Sequence, residues 1–438
     1  MEKLFRLKEN NTTVRKEILA GVTIFFAMAY IIFVNPSMLE ATGMSASSVM
    51  VATCIGAAIG CFLTAFMANL PFAQAPGMGL NAFFTYTVCI GMGYTWQQAL
   101  TLVLISGALF FVLSVSPFRK ALIRSIPMVL KNAIGAGIGL FIAYVGLKNA
   151  GIIAFSGADA ASATPGLGNI TAGGPLLAVI GLLITGVLMA FKVKGAIFIG
   201  IIVSTIIGIP LGVTVFPESL TMTDISLAST FFQFDFGGLM SQGLLALITV
   251  IISFTVVDMF DTVGTLIGTA NRNGMLDKDG NLPRGDRALI ADAIATMTGA
   301  CLGTSTVTTF VESSTGISEG GRTGLTSVIV GVLFLVAILL APIAGIIPSA
   351  ATAPALIIVG VLMLAVVKNI DWHNFEDAFP AFMTIAIMPL AYSIAEGIGF
   401  GFISYTVVKM CRGKFKEIPV LMYILSAIFI LRYILINV

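Results

Sequence analysis

LPFAQAPGMGLNAFF, residues 70–84, and GTSTVTTFVESSTG, residues 303–316, interrupt two apolar runs in ways that no continuous helix tolerates. Pro71, Pro76, Gly77 and Gly79 break the first, because proline lacks an amide donor and glycine costs backbone order. The second is a run of Thr, Ser and Val, residue types that favour extended backbone. At membrane depth, non-helical backbone persists only where protein or a polar cavity satisfies its amides, since lipid offers no partner. The interval Gly60–Gly77 around the first break equals the interval Gly299–Gly316 around the second, a faint internal echo. In transporters built from repeats, two breaks in corresponding places mark the substrate site. The competing reading is plainer: glycine and proline serving close helix packing.

The surroundings of the two breaks are lipid-solvated sequence. Of 438 residues, 10% are charged and 58% apolar, against about a quarter charged in soluble proteins. Apolar runs near 18–36, 47–67, 73–90, 97–115, 127–148, 174–190 and 195–214 precede a polar stretch at 215–237. Runs near 240–268, 287–303, 306–318, 322–341, 345–367, 378–394, 397–411 and 418–437 follow it. Most approach the ~20 residues that cross a bilayer, so a multi-pass membrane protein without a separate soluble domain is expected. The last run leaves two C-terminal topologies. Either two short segments around Glu396 form a shallow V and 418–437 is an additional span, or the count is off by one.

Lys and Arg collect in alternate loops: residues 1–17, then Arg119, Lys120 and Arg124, then Lys192 and Lys194, then Arg272, Lys278, Arg284 and Arg287. The loops around Glu40, Tyr94 and 215–237 hold almost none, which places the N-terminus in the cytoplasm. The apolar run after the basic start lacks a small-residue cleavage pattern and reads as a retained first span. A net charge of +2 makes no case for nucleic acid. Cys54, Cys61, Cys89, Cys301 and Cys411 are scattered and His373 lies in a polar loop, so neither a metal nor a cofactor is expected. GAGIGLF at 135–141 has the spacing of a nucleotide-binding glycine motif but no preceding strand, and reads as helix packing.

Four acids fall inside apolar segments, where a carboxylate costs at least ~3 kcal/mol on insertion scales. Asp258 and Asp261 lie three apart on roughly one helix face, Asp292 is on the next span, and Glu312 is in the second break. No Lys or Arg reads at comparable depth, so these acids are expected to be protonated, hydrogen-bonded or neutralised by a bound cation rather than salt-bridged. Proton coupling needs a carboxyl that loads from one side and releases to the other. The alternative is an acid that ties helices together through neutral donors. A carboxylate also accepts paired N–H donors, which a purine edge presents. Phe83, Phe84 and Phe310 offer ring faces for stacking. Nothing completes an enzyme site: there is no nucleophile with a base and no His or Cys cluster.

QAPGMGLNAFF (74–84), GIGLFIAYVGLKNAG (137–151), VDMFDTVGTL (257–266) and TSTVTTFVESSTGISEGGRTGLTS (304–327) together resemble the AzgA-like purine permeases of the nucleobase/ascorbate transporter superfamily. The resemblance covers essentially the full chain. It implies an all-α polytopic fold of 14 transmembrane segments in two inverted repeats of seven, with short strands in segments 3 and 10. A core domain (18–115 and 240–341) would move against a gate domain (116–239 and 342–438) behind a cytoplasmic N-terminus (1–17) in the cell membrane. It further implies a secondary active transporter, often dimeric, that imports purine nucleobases by proton symport. Asp261 takes the position of a substrate-binding acid on the eighth span and Glu312 the matching position on the tenth. Thr265, Ala75, Gly77, Met78, Asn81, Phe310 and Ser313 complete the implied substrate site. Uracil transporters carry a histidine where Thr265 stands, so Asp258 and Asp292, with Glu312, become the candidates for coupling. Guanine and hypoxanthine are favoured over adenine. A sulfate-type anion carrier of the same architecture and a uracil or xanthine permease are the alternatives.

Overall fold

Polar caps fix where the long helices begin. Ser45, Thr95, Thr323 and Ser393 each sit in extended backbone and accept a hydrogen bond from an amide in the following first turn. The computed structural model describes residues 2–116, 126–156, 164–215, 226–240, 243–278, 282–341 and 346–436. The basic positions Arg119, Lys120 and Arg124 and the centre of the polar stretch, 216–225, lie outside the described residues.

The chain runs through α1 (Glu2–Phe5), α2 (Val14–Met28), α3 (Ile31–Leu39), α4 (Ala46–Leu63), β1 (Gln74–Pro76), α5 (Met78–Ala82), which continues in wider turns to Gly91, and α6 (Trp96–Val115). Next come α7 (Met128–Asn149), a small hairpin β2 (Ile153–Ser156) and β3 (Thr164–Leu167), α8 (Gly173–Ala190) and α9 (Ala196–Gly208). The same order of long helices, strand and short helix then returns in α10 (Phe236–Met240), α11 (Leu244–Arg272), α12 (Gly285–Leu302), β4 (Val307–Thr309), α13 (Ser313–Ser318) and α14 (Gly324–Ala337). The chain ends in α15 (Ser349–Leu364), α16 (Phe375–Leu390), α17 (Ile394–Cys411) and α18 (Val420–Ile436). Among the described residues, eight helices are long and apolar enough to cross a membrane. The two breaks are not among them, because each is a strand followed by a half-length helix.

Those breaks meet. β1 and β4 pair antiparallel, with Gln74 opposite Thr309, Ala75 opposite Thr308 and Pro76 opposite Val307. Gly77 N–H donates to Thr306 O (3.0 Å) and Phe310 N–H to Ala73 O (3.0 Å), which lengthens the ladder at both ends. The two strands thus satisfy each other's amides at the depth where lipid cannot. The echo in the sequence has a local cause. A Cβ on Gly60 would lie 2.9 Å from Gln74 Cβ and one on Gly299 would lie 2.8 Å from Val307 Cγ2, so each glycine gives a strand room against a helix.

Helices pack mainly within two groups. α2, α3, α4, α6, α11, α12 and α14 surround the strand pair, while α7, α8, α9, α15, α16, α17 and α18 pack on one another. The GAGIGLF run is a helix-packing surface, as read: a Cβ on Gly139 would lie 2.8 Å from Gly360 O, so α7 and α15 cross backbone to backbone.

The basic segments gather at one end. Thr12 Oγ1 donates to Gly320 O (3.1 Å), Lys194 pairs with Glu319 (2.6 Å), and Arg284 lies within electrostatic reach of Arg6, Arg287 and Glu9. The rest of the polar stretch covers the other end: Ser229 Oγ donates to Ser48 Oγ (2.7 Å) and Gln98 Nε2 to Asp235 Oδ2 (3.1 Å). Glu17, an acid the sequence reading passed over, is wholly buried near the basic end. It accepts from the amides of Arg322 (2.9 Å), Thr323 (3.3 Å) and Thr326 (3.1 Å) and from Thr326 Oγ1 (2.6 Å), and so caps α14 from a distant segment. Glu17→Ala leaves those donors unpaired. It is expected to cost about 2–3 kcal/mol and to lower the melting temperature in detergent while leaving substrate selectivity unchanged.

At the C-terminal end α16 and α17 form a hairpin with its tip at residues 391–393, α17 is itself long and apolar enough to cross a membrane, and the final run is a further helix, α18. Glu376 at the start of α16 clasps Lys409 (2.9 Å), Arg412 (2.9 Å) and Lys414 (2.7 Å) at the end of α17, which closes the hairpin's open end. A cation also lies deep in an apolar run, contrary to the sequence reading. Arg432, in α18, is only 5% exposed and sits 2.8 Å from Glu396.

Candidate functional site

The strand pair has an acid on each flank. Beneath it, Asp292 of α12 is wholly buried and accepts at both oxygens: Gln74 Nε2 (3.2 Å) and Thr309 Oγ1 (2.9 Å) donate to Oδ1, and Thr262 Oγ1 (2.9 Å) donates to Oδ2. One carboxyl therefore joins β1, β4 and α11. Thr262 also bonds Thr308 hydroxyl to hydroxyl (2.7 Å). Asp258, one turn before Thr262, accepts from Thr296 Oγ1 (3.0 Å) at Oδ2, whereas its buried Oδ1 has no hydrogen-bond partner. Asn35 Nδ2 donates to Thr53 (2.7 Å) and Thr304 (2.9 Å) and so pins the entry to β4.

Glu312 lies in the turn between β4 and α13, and Tyr30 Oη donates to its Oε1 at 2.8 Å. Tyr30 occupies the joint between α2 and α3, so the first span delivers a polar tip to the second break. Asp261 makes no hydrogen bond to any described residue, but is within electrostatic reach of both Glu312 and Tyr30. Asp261 and Glu312 are half-buried, each keeping part of its surface accessible. Thr265, one turn after Asp261, is likewise half-buried.

Asp258 and Asp261 do not share an environment as their spacing suggested. A separation of three residues leaves them about 60° apart on a helix. That suffices to aim Asp258 with Thr262 at the strands, while Asp261 with Thr265 is left half-buried without a hydrogen bond.

The other expected residues divide by what their atoms already do. Ala75 sits in the ladder opposite Thr308, and Gly77 is required beside it because a Cβ there would collide with the Thr308 side chain. Met78 is 5% exposed at the start of α5. Asn81 is wholly buried, with Nδ2 3.5 Å from Pro76 O and Oδ1 unpartnered. Ser313 Oγ accepts from the Ala73 amide (3.0 Å), so it fixes the start of β1 as well as bordering Glu312. Phe83 and Phe84 are wholly buried, and Phe83 packs against Phe254 with ring centroids 4.6 Å apart. They are core residues rather than stacking faces. Phe310, 6% exposed, remains at the edge of the strand pair. Among the described residues no group of three His, Cys, Asp or Glu is arranged to hold a metal ion.

Sequence reasoning missed Tyr30, Gln74 and the threonines 262, 296 and 309. Each is a polar residue in an otherwise apolar or broken segment, the signal that singled out the acids, but a hydroxyl costs too little in a membrane to stand out.

Broken half-helices over a paired pair of strands, with carboxyls on both flanks, are the architecture of a membrane carrier. A family model described as Permease family (Xan_ur_permease) matches residues 15–400. The chain belongs to this family, within the nucleobase/ascorbate transporter superfamily that its motifs resemble. It is 43% identical over 443 aligned residues to the guanine/hypoxanthine permease PbuG of Bacillus subtilis, covering 99% of this chain and 99% of that one. It is 41% identical over 437 residues to the adenine permease AdeP of Escherichia coli, covering 100% of this chain and 96% of that one. In fold it is similar to the transmembrane domain of the cyanobacterial bicarbonate transporter BicA, with a TM-score of 0.64, 17% identity, and coverage of 87% of this chain and 97% of that one.

Proposed function

We propose that this chain imports purine nucleobases across the cell membrane by proton symport, with its N-terminus in the cytoplasm and fourteen segments in two inverted sevens, as a homodimer. The observation that carries the reading is the pair Asp261 and Glu312. Among the described residues Asp261 accepts no hydrogen bond and Glu312 accepts a bond from one other side chain, Tyr30; Glu312 lies between β4 and α13, and Asp261 precedes Thr262, which bonds Thr308 of β4. Acceptor-only groups that keep accessible surface suit a neutral ligand rich in N–H donors. Guanine and hypoxanthine present an N1–H donor beside a second donor or an acceptor, whereas adenine has an acceptor at N1 and its amino group as the one donor on that edge. We therefore favour the first two, although relatives named for both kinds of base lie at similar identity. A sulfate-type or bicarbonate-type anion is disfavoured, because two carboxyls would repel it.

Asp258 and Asp292 are the proposed coupling pair, with Glu312 as the link to substrate. Asp292 is braced by three neutral donors, and Asp258 keeps one oxygen without a partner, which is where a travelling proton has room to bind. The group around the strands, 18–115 and 240–341, would move as a body against 116–239 and 342–438.

The test is uptake of labelled hypoxanthine, guanine, adenine and uracil into proteoliposomes, with an imposed inward proton gradient and with a proton-conducting ionophore. Accumulation of a purine that the ionophore collapses supports the proposal, whereas oriented, folded protein that moves no base rejects it. Asp258→Asn is then expected to retain base counterflow but to lose accumulation driven by the pH gradient. Undiminished gradient-driven accumulation would remove Asp258 from the proton path.

A further inference from the structure

The space beside the acids opens toward one end of the molecule. Asp261, Gly264, Thr265 and Gly268 lie on one face of α11, spaced by three and four residues, and all keep accessible surface. A Cβ built on Gly264 or on Gly268 would meet no atom of another segment within 4 Å. The face runs on to the exposed Asn271 and the basic end. A membrane helix turns such a polar, glycine-lined stripe toward a watery path rather than toward lipid.

The opposite end is shut by bonds between the two helix groups. The segment that begins with β1 reaches that end at Tyr86 and Thr87, both almost wholly buried. Asn149 Nδ2, at the end of α7, donates to Tyr86 Oη (2.9 Å), and the Ile394 amide, at the start of α17, donates to Thr87 Oγ1 (3.3 Å). The Ser37 and Thr352 hydroxyls join α3 to α15 at the same end (3.1 Å). The Tyr392 ring, at the hairpin tip, stands where the groups meet. Tyr86 abuts it edge-on from one group and Phe141 and Tyr144 from the other, while Lys148 Nζ lies 4.5 Å from its centroid. Tyr392 also takes a φ of 52°, a left-handed conformation that a residue other than glycine keeps only where its surroundings hold it. At the basic end the groups are joined by the pair Lys194 and Glu319, whose side chains are both exposed, and an exposed pair resists separation little.

We propose that Tyr86, Thr87, Asn149 and the hairpin tip at Tyr392 form a latch that holds this end shut and must part each time the strand pair is presented to that face. The inference rests on the movement proposed above and names the contacts that resist it. Neutral hydrogen bonds suit the task, because each parts and re-forms at small net cost, whereas breaking a buried ion pair would strand a charge.

The test uses the full chain with its five cysteines replaced by serine and with Val145→Cys or Gly268→Cys as the reporter. Val145 is wholly buried on the α7 face between Phe141 and Asn149, whereas Gly268 opens toward the basic end. Labelling by a membrane-impermeant maleimide is timed from each face of oriented membrane vesicles. Tyr86→Phe, which keeps the ring, is expected to raise the labelling rate of Val145→Cys from the face opposite the basic end about fivefold. Thr87→Val, which leaves the Ile394 amide without its acceptor, is expected to raise it about tenfold, and it keeps the test open if Tyr86→Phe does not fold. Labelling of Gly268→Cys from the basic end is expected not to rise. An unchanged Val145→Cys rate in the folded variants overturns the latch, and so does a rise at both reporters, which marks general loosening. Hypoxanthine and guanine uptake by the same vesicles is scored separately: if protein with an unaltered latch carries neither, the transport reading falls, and the labelling still decides the latch.

Discussion

Glu312→Gln is expected to lower kcat/KM for purine uptake about a hundredfold while leaving the protein folded. The substitution keeps the volume, and the amide oxygen can still accept from Tyr30 Oη, which lies 2.8 Å from Oε1. What disappears is the charge and one of two acceptors, and the new amide N–H₂ points a donor where the base presents donors. Hydrogen bonds to charged groups contribute ~1.5–3 kcal/mol each, and losing the better part of two amounts to about two powers of ten. Tyr30→Phe serves as the graded comparison. It removes only the hydroxyl that orients the carboxyl, and about a fivefold to tenfold loss is expected. Initial uptake rates normalised to folded protein in the membrane measure both. Near-normal uptake by a stable Glu312→Gln protein would take Glu312 out of the site.

The parts of this site that the sequence made legible are those whose physical penalty is large. Pro71, Pro76 and the Thr–Ser–Val run cannot continue a membrane helix, so both breaks were readable, and the strand pair followed from the need to satisfy their amides. The four acids were readable for the same reason. Their division of labour was not, because it depends on side-chain pairings across segments distant in sequence. Asp292 meets Gln74, 218 residues away, and Tyr30 meets Glu312, 282 residues away. Arg432 was passed over for a related cause: its partner, Glu396, lies in a different helix, α17. The C-terminal hairpin was ambiguous because basic residues on both sides of a short apolar run fit two counts. In the structure Glu376 clasps Lys409, Arg412 and Lys414 and closes α16 and α17 into a hairpin.

The proposed movement of one helix group against the other makes the second large expectation: crosslinking Gly79→Cys to Ile138→Cys should stop uptake, and reduction should restore it. Gly79 lies in α5, directly after β1, and Ile138 lies in α7 of the other group. A Cβ built on Gly79 would stand 2.7 Å from Ile138 Cγ2, and with isoleucine replaced by cysteine that space is freed. Since Cγ2 is one bond beyond Cβ, the two new Cβ atoms fall near the ~3.5–4.5 Å that a disulfide requires. Cys301 and Cys411, the native cysteines that keep exposed surface, would be replaced by serine beforehand, whereas Cys54, Cys61 and Cys89 are buried. The reduced double variant sets the baseline, so any loss from crowding at α5 is separated from loss caused by the bond. The glycine at this contact lets α5 approach α7 closely, and a covalent bond there would forbid any sliding between them without touching Asp261 or Glu312. If the strand pair and its acids stay fixed to α7 throughout transport, the oxidised protein will carry base as fast as the reduced one. If they travel, oxidation will abolish uptake while base binding persists, because the cleft is locked in one orientation with its carboxyls intact.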